Sequence, residues 1–362
     1  MHNELRRLTL PSELGAEETE RKFEPTITNH PALPAINWSA IGQSGPVTVN
    51  TPSDLPAATA VVITWADAEW AALEHVFCSG NTSMPYSKGA SGSWPGWQKY
   101  TENMPEVASS QDWDFWGYYR LVQINGKNVL LFKSNTHLDW PGQQYLEQLI
   151  NILITKVNPE IILSIGTAGG ARTGDHIGTV NVVNSGTLYS SSHPESQWPD
   201  YANNWAANWT VAGNPGFQNL LFPIPATAAD LQSVCTQFNS FYKTNYTLAE
   251  LNINNLNMGT PSPALNNMTG AGTSLLTTNT FVVATSSGNL DTFACVEMDD
   301  AVIAMVCKNA GKVFGFVRNV SDPIQNAVLP TKVQGNWGSA IYTLYGLYTS
   351  YNGALLTWAI LN

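Results

Sequence analysis

A chain of 362 residues with 43% hydrophobic content can bury one large core and still carry appended segments. Its formal net charge of −11, with only 16 Lys and Arg, leaves too few cations to neutralise a phosphate backbone, so a small ligand is expected and nucleic acid is not. Cys78, Cys235, Cys295 and Cys307 form no C-x-x-C pair, which argues against a zinc ribbon or a disulfide scaffold; free thiols, no metal and no cofactor are expected.

Residues 1–20 mix charges and lack the apolar segment of a signal peptide, and no later apolar run is long enough to span a bilayer. The expectation is a cytoplasmic protein with no membrane contact. Residues 1–55 are rich in Pro, Ser and Thr without sustained periodicity and read as an N-terminal extension, leaving 56–362 as the main domain.

Within that domain, Ala60–Thr64 (AVVIT) predicts a buried strand and Asp67–Phe77 an amphipathic helix with an acidic first turn. Residues 79–114, dense in Gly, Ser and Trp, read as an insertion. Tyr118–Ile124 and Asn128–Lys133 flank Asn125-Gly126, a hairpin signal. Gly142–Val157 has helical apolar spacing and feeds Ile161–Ile165, an aliphatic strand followed by the glycine loop Gly166–Gly170. A buried strand entering a glycine loop is where α/β sheets place ligands.

A second insertion is expected at about 187–270, with a helix at Ala226–Lys243. Thr280–Ala284 then reads as a strand, Val296–Asn309 as a helix, Val313–Val317 as a strand ending in RNVSDP, and Gly338–Leu361 as a closing helix.

Three segments, ITWADAEWAAL (63–73), ILSIGTAGGARTGDHIGTVNVVNSG (162–186) and TFVVATSSGNLDTFACVEMDDAVIAMVCKNAGKVFGFVRNVSDP (280–323), resemble the nucleoside phosphorylase and nucleosidase superfamily. The resemblance is to its 5′-methylthioadenosine/S-adenosylhomocysteine nucleosidase branch. It implies an α/β, three-layer fold with a central mixed twisted sheet flanked by helices, and a homodimer acting on a small-molecule nucleoside. The implied activity is hydrolysis of the N-glycosidic bond of a purine nucleoside.

Breaking that bond requires a protonated leaving base, a site that tolerates an oxocarbenium-like sugar and a positioned nucleophile, so carboxylates from separate elements must converge. By the resemblance, Asp322 is the acid at purine N7 and Glu69 the carboxylate that activates water. Glu297, Met298 and Asp299 match the E-M-acid motif: Met298 would pack on the ribose face, and Asp299, one methylene shorter than the usual glutamate, would accept from the ribose hydroxyls. Phe281 and Val282 would stack on and read the base, while Thr167, Ala168 and Gly169 would line the anomeric side. His137 would contact the ribose 5′ side or an anion.

Because VVITWAD, the stretch before Glu69, contains no arginine-bearing anion loop, water is favoured over phosphate as the nucleophile. A phosphorylase is the first alternative. A non-catalytic binding or storage protein, to which the 13 tryptophans would suit carbohydrate stacking, is the second.

Overall fold

The computed structural model of the chain describes residues 23, 25–26, 31–79, 95–105, 113–170, 172, 174–190, 192–224, 229–251, 263–279, 290–323 and 331–362. In chain order its strands are β1 (Val47–Thr48), β2 (Ala60–Thr64), β3 (Gln98–Tyr100), β4 (Gly117–Ile124), β5 (Lys127–Ser134), β6 (Ile161–Gly170), β7 (Val180–Val183), β8 (Ser185–Leu188), β9 (Asp200–Ala202), β10 (Leu265–Asn267), β11 (Leu275–Thr277), β12 (Val296–Glu297) and β13 (Val313–Pro323). The helices are α1 (Asp67–Glu74), α2 (Gln143–Val157), α3 (Ala229–Tyr242), α4 (Leu248–Leu251), α5 (Asp300–Asn309) and α6 (Thr331–Leu361).

Strand residues alternate between two faces, and this divides the core in two. Ala60 and Val62 of β2, Leu163 and Ile165 of β6, and Val317 of β13 join one apolar cluster with Trp70 and Leu73 of α1 and Tyr351 and Leu355 of α6. Val61, Ile63, Ile162, Phe314 and Phe316 face the opposite way, onto Leu146 and Leu149 of α2 and Ile303 of α5. The result is an α/β fold of three layers, one mixed sheet between two helical layers. Its main path runs β1-β4-β5-β2-β6-β12-β11-β8-β9; β13 branches from β6, and β7 pairs with β13 and β10.

The hairpin forms as expected: β4 and β5 pair antiparallel around Asn125 and Gly126, whose φ values of 47° and 76° suit the left-handed positions of a two-residue turn. Elsewhere the chain departs from the sequence pattern. Gly166–Gly170 is not a loop, because β13 continues alongside β6 in parallel as far as Gly170 and supplies its backbone with partners. β13 likewise extends through Pro323, not ending at Val317.

The helix expected from Val296 begins only at Asp300, since Val296 and Glu297 are drawn into the sheet beside β11 and Gly169. Helix α1 passes at His75 into a wider π turn, His75–Ser79. The closing helix starts at Thr331, earlier than Gly338. The stretch 187–270 is not wholly an insertion either, because β8 and β10 pair with β11 and β7 inside the sheet. The strand expected at Thr280–Ala284 lies outside the described residues. All four cysteines are free, and among the described residues no helix is long and apolar enough to cross a membrane.

Candidate functional site at the end of strand β6

Strand β6 is paired on one side by β13 along its length, but its other side changes partner. β2 accompanies it from Ile161 to Ser164, and β12 meets it only at Gly169. Backbone amides in this gap are buried and require acceptors. Glu69, in the first turn of α1, supplies one: its Oε1 accepts from the Thr167 amide at 2.8 Å and from the Thr167 hydroxyl at 2.7 Å.

The other oxygen of Glu69 closes the β2–α1 turn. It accepts from the Ala66 amide at 2.8 Å, the Trp65 amide at 3.0 Å and the Thr64 hydroxyl at 2.8 Å. Helix entry explains this geometry, since a glutamate three residues past the N-cap can reach back to the orphan amides. The carboxylate is 3% exposed and receives five donors.

Gly166 cannot be replaced without disturbing this gap. A Cβ there would lie 2.7 Å from both Glu69 Oε1 and Arg318 Nη1. Arg318, on β13, is buried and donates through Nε to Asp300 Oδ2 at 2.7 Å, through Nη2 to Asp300 Oδ1 and to Ser164 Oγ (2.8 Å), and through Nη1 to the Thr167 carbonyl at 3.3 Å. Glu297 adds an ion pair at 3.2 Å. Burial, and for Glu297 the adjacent Asp300 charge, pushes both carboxyls upward, while Arg318 opposes this. The indole of Trp65 lies 5.4 Å over the guanidinium.

Glu297 also starts α5: its Oε2 accepts the amides of Asp299 at 2.7 Å and Asp300 at 3.0 Å, and its Oε1 accepts from Thr277 Oγ1. Met298 between these acids is half-buried. The 3%-exposed Asp299 turns toward the segment after β5, where Oδ1 accepts the Leu138 amide at 2.9 Å and Oδ2 lies 3.3 Å from His137 Nδ1. Thr167 is half-buried, and Ala168 and Gly169 are buried.

Asp322 stands opposite Gly169, where a register shift between Val320 and Asp322 marks a bulge in β13. Ser321 Oγ donates to its Oδ1 at 2.6 Å, and its buried Oδ2 has no hydrogen-bond partner among the described residues. Burial pushes this carboxyl up to about 7, against the lowering effect of Ser321. Its titration thus falls near neutral pH, and one of its oxygens is uncommitted among the described residues.

The strand end thus gathers Glu69 at Thr167, Ser321 at the Ala168 carbonyl, Asp322 and Val296 at Gly169, and Asp299 with His137 one step outward. Phe281 and Val282 lie outside the described residues. Ser164 was not singled out by sequence. Ser164 had a signal, because a hydroxyl inside the buried aliphatic run ILSIG needs a partner.

No protein-family profile and no curated protein sequence matches the chain. Among solved structures, it is similar to a 5′-methylthioadenosine/S-adenosylhomocysteine nucleosidase from Neisseria meningitidis bound to methylthio-immucillin-A, at 13% identity and TM-score 0.44, covering 84% of this chain and 98% of that one. An S-adenosylhomocysteine nucleosidase from Streptococcus pyogenes gives 15% identity and TM-score 0.44, with 84% and 96% covered. A futalosine hydrolase mutant from Helicobacter pylori gives 10% and 0.44, with 83% and 98% covered. Likenesses at this level carry no weight for activity, which has to be argued from the chain's own residues.

Proposed function

We propose that the protein is a nucleosidase that hydrolyses the N-glycosidic bond of a purine nucleoside, with Asp322 protonating the departing base. The observation that carries this reading is the state of Asp322: a buried carboxyl raised to about 7, one oxygen held by Ser321 and the other without a partner. A carboxyl that is still partly protonated at neutral pH and presents an uncommitted oxygen suits proton donation to a leaving group. Glu69, fixed by five donors, serves as a permanent negative charge near the sugar as positive charge develops there. Met298 packs on the ribose, and Thr167–Gly169 lines the anomeric side. No cofactor takes part.

Phosphorolysis is the weaker reading, because Arg318 directs its donors to Asp300, Ser164 and the Thr167 carbonyl instead of to an anion. Binding without turnover is the second reading, favoured by the saturated carboxylate of Glu69. The test is a panel of purine and pyrimidine nucleosides incubated with and without phosphate, with the released base and sugar identified. Free ribose and purine without phosphate are expected. Asp322→Asn should lower turnover by at least ~10²-fold, the usual scale for a lost general acid. Ribose 1-phosphate would favour the phosphorylase, and tight binding without product would favour the binding protein.

A further inference from the structure

The segment before β1 reads from sequence as an extension, yet Phe23, Leu33 and Ile41 are buried in the apolar cluster that α1, α3 and α6 share. We infer that this segment is a strap that holds the helix carrying Glu69 and the helix behind the strand of Asp322 in one arrangement, so that its release switches the site off. What the site does rests on the nucleosidase reading above.

The course of the strap carries the inference. Phe23 meets Phe238 of α3 edge-on at 5.5 Å, and Phe238 meets Trp337, near the start of α6, at 5.4 Å. Gln237 of α3 grips Thr26 with both ends of its amide: Oε1 accepts the Thr26 N–H at 2.8 Å, and Nε2 donates to the Thr26 carbonyl at 3.0 Å. Further along, the Tyr348 hydroxyl of α6 donates to the Pro31 carbonyl at 2.9 Å, and His75 Nε2 lies 2.9 Å from the Pro34 carbonyl. Trp38 then packs on Trp358, with ring centroids 4.3 Å apart. Trp337 to Trp358 is about 30 Å of helix, so the strap follows most of α6.

Two of these contacts stand behind the acids. His75 is the C-cap of α1, whose first turn holds Glu69, and its ring lies 5.8 Å from that of Tyr351 on α6. Thr349, next to the strap-bound Tyr348, has its hydroxyl 2.8 Å from the side-chain amide of Asn319, which precedes Asp322 on β13. Gly353 approaches the same side chain so closely that a Cβ would lie 2.7 Å from it. Helix α6 therefore sets the position of β13 just before the proton donor, and the strap ties α6 to α1.

The strap is held unequally along its length. One end is fixed, because the chain continues into β1, which pairs with β4 in the sheet. The other end rests on α3, and among the described residues the side-chain hydrogen bonds that α3 makes outside 229–251 reach only this segment. A chain end held by few contacts opens at a lower free energy than the core behind it. Prolines at 25, 31 and 34 fix φ and lower the entropy lost when the strap docks, so its release is local and reversible.

The test compares the full-length wild type with the Phe23→Ala/Gln237→Ala double variant and with Tyr348→Phe, by native-state amide hydrogen exchange and by kcat for phosphate-free release of base from the preferred nucleoside. Thermal unfolding is the control for fold. In the double variant, exchange should quicken by ~10-fold or more in α3, in α1 and at residues 319–322, with the β4–β5 hairpin unchanged. Its kcat should fall by ~10-fold or more, because small displacements of positioned groups are costly. Tyr348→Phe, which removes one hydroxyl, should move both readouts in the same direction by less, and it decides the question alone if the double variant loses its fold. Exchange that quickens only in the strap and α3, or a kcat that stays at the wild-type value in the folded variants, overturns the strap and leaves the nucleosidase reading standing. Absence of hydrolysis by the wild type removes the nucleosidase reading, and exchange in α1 and at 319–322 still decides whether the strap reaches the acids.

Discussion

Glu69 and Thr167 are joined twice, through the amide and the hydroxyl of Thr167, across the point where β2 leaves the edge of β6. The carboxylate therefore substitutes for a missing strand. Thr167→Val removes one of the two bonds and keeps the shape. It should destabilise the fold by about 1 kcal/mol, the net value of one such bond. Glu69→Gln should cost more, because its amide group must face donors where an acceptor stood, leaving buried amides unsatisfied at about 1–3 kcal/mol. Urea denaturation of both variants measures the difference; equal midpoints would show that Glu69 does not act as the sheet's local acceptor.

Asp322 links activity and stability to pH. Its carboxyl acts as an acid only while protonated, so turnover should fall as pH rises through about 7. The folded-state value lies above the ordinary aspartate value of about 3.9, so between these two the folded state holds a proton that the unfolded state has lost. Its contribution to stability therefore declines as pH rises from about 4 to 7. Above that window the desolvated carboxylate opposes folding by something on the order of 4 kcal/mol. Asp322→Asn should gain stability relative to wild type across the same window, measurable as a growing difference in Tm between pH 4 and pH 8. A constant difference would contradict the burial argument.

Arg318 and Asp300 form a buried pair reinforced by Ser164 and Glu297. Removing one partner strands the other charge, so Arg318→Met or Asp300→Asn alone should cost ~3–5 kcal/mol. Arg318→Lys should not rescue, because an ammonium cannot make the guanidinium's several directed bonds. In a double-mutant cycle by chemical denaturation, Arg318→Met with Asp300→Asn should be less unstable than the sum of the single variants. Additive values would mean that the two residues act independently.

Gly315 of β13 lies against the ring of Trp205, so close that a Cβ there would be 2.1 Å from it. The Trp205 segment is tethered by its own amide to Asn203 Oδ1 at 2.6 Å and by Asn203 Nδ2 to the Phe314 carbonyl at 2.8 Å. Gly315→Ala must displace the indole and should destabilise by ~1–3 kcal/mol. In a Trp205→Ala background the same change should cost much less, as Tm measurements on the four proteins of the cycle will show.

The regular elements were legible wherever local chemistry decided them. The apolar run AVVIT, the Asn-Gly turn, the 3.6-residue spacing before Val157 and the scattered cysteines each specify a local outcome, and β2, the β4–β5 hairpin, α2 and the free thiols followed. The strand boundaries near the site were not legible. Glycines 166, 169 and 170 look like a loop until β13 is known to run beside them, and Val296-Glu297 looks helical until the sheet captures it. Propensity is a local quantity, and pairing partners more than a hundred residues away outweighed it.

The sequence by itself determined the class of fold, the acids at positions 69, 297, 299 and 322, and the scarcity of cations. Only the tertiary structure decided what each acid can do. Glu69 was held by five donors from β6 and the β2–α1 turn, Asp299 was turned onto His137, and Asp322 was left with one buried oxygen that has no partner among the described residues. A carboxylate's role depends on its solvation and on the donors around it, and those are supplied by distant segments that the sequence near each acid does not contain.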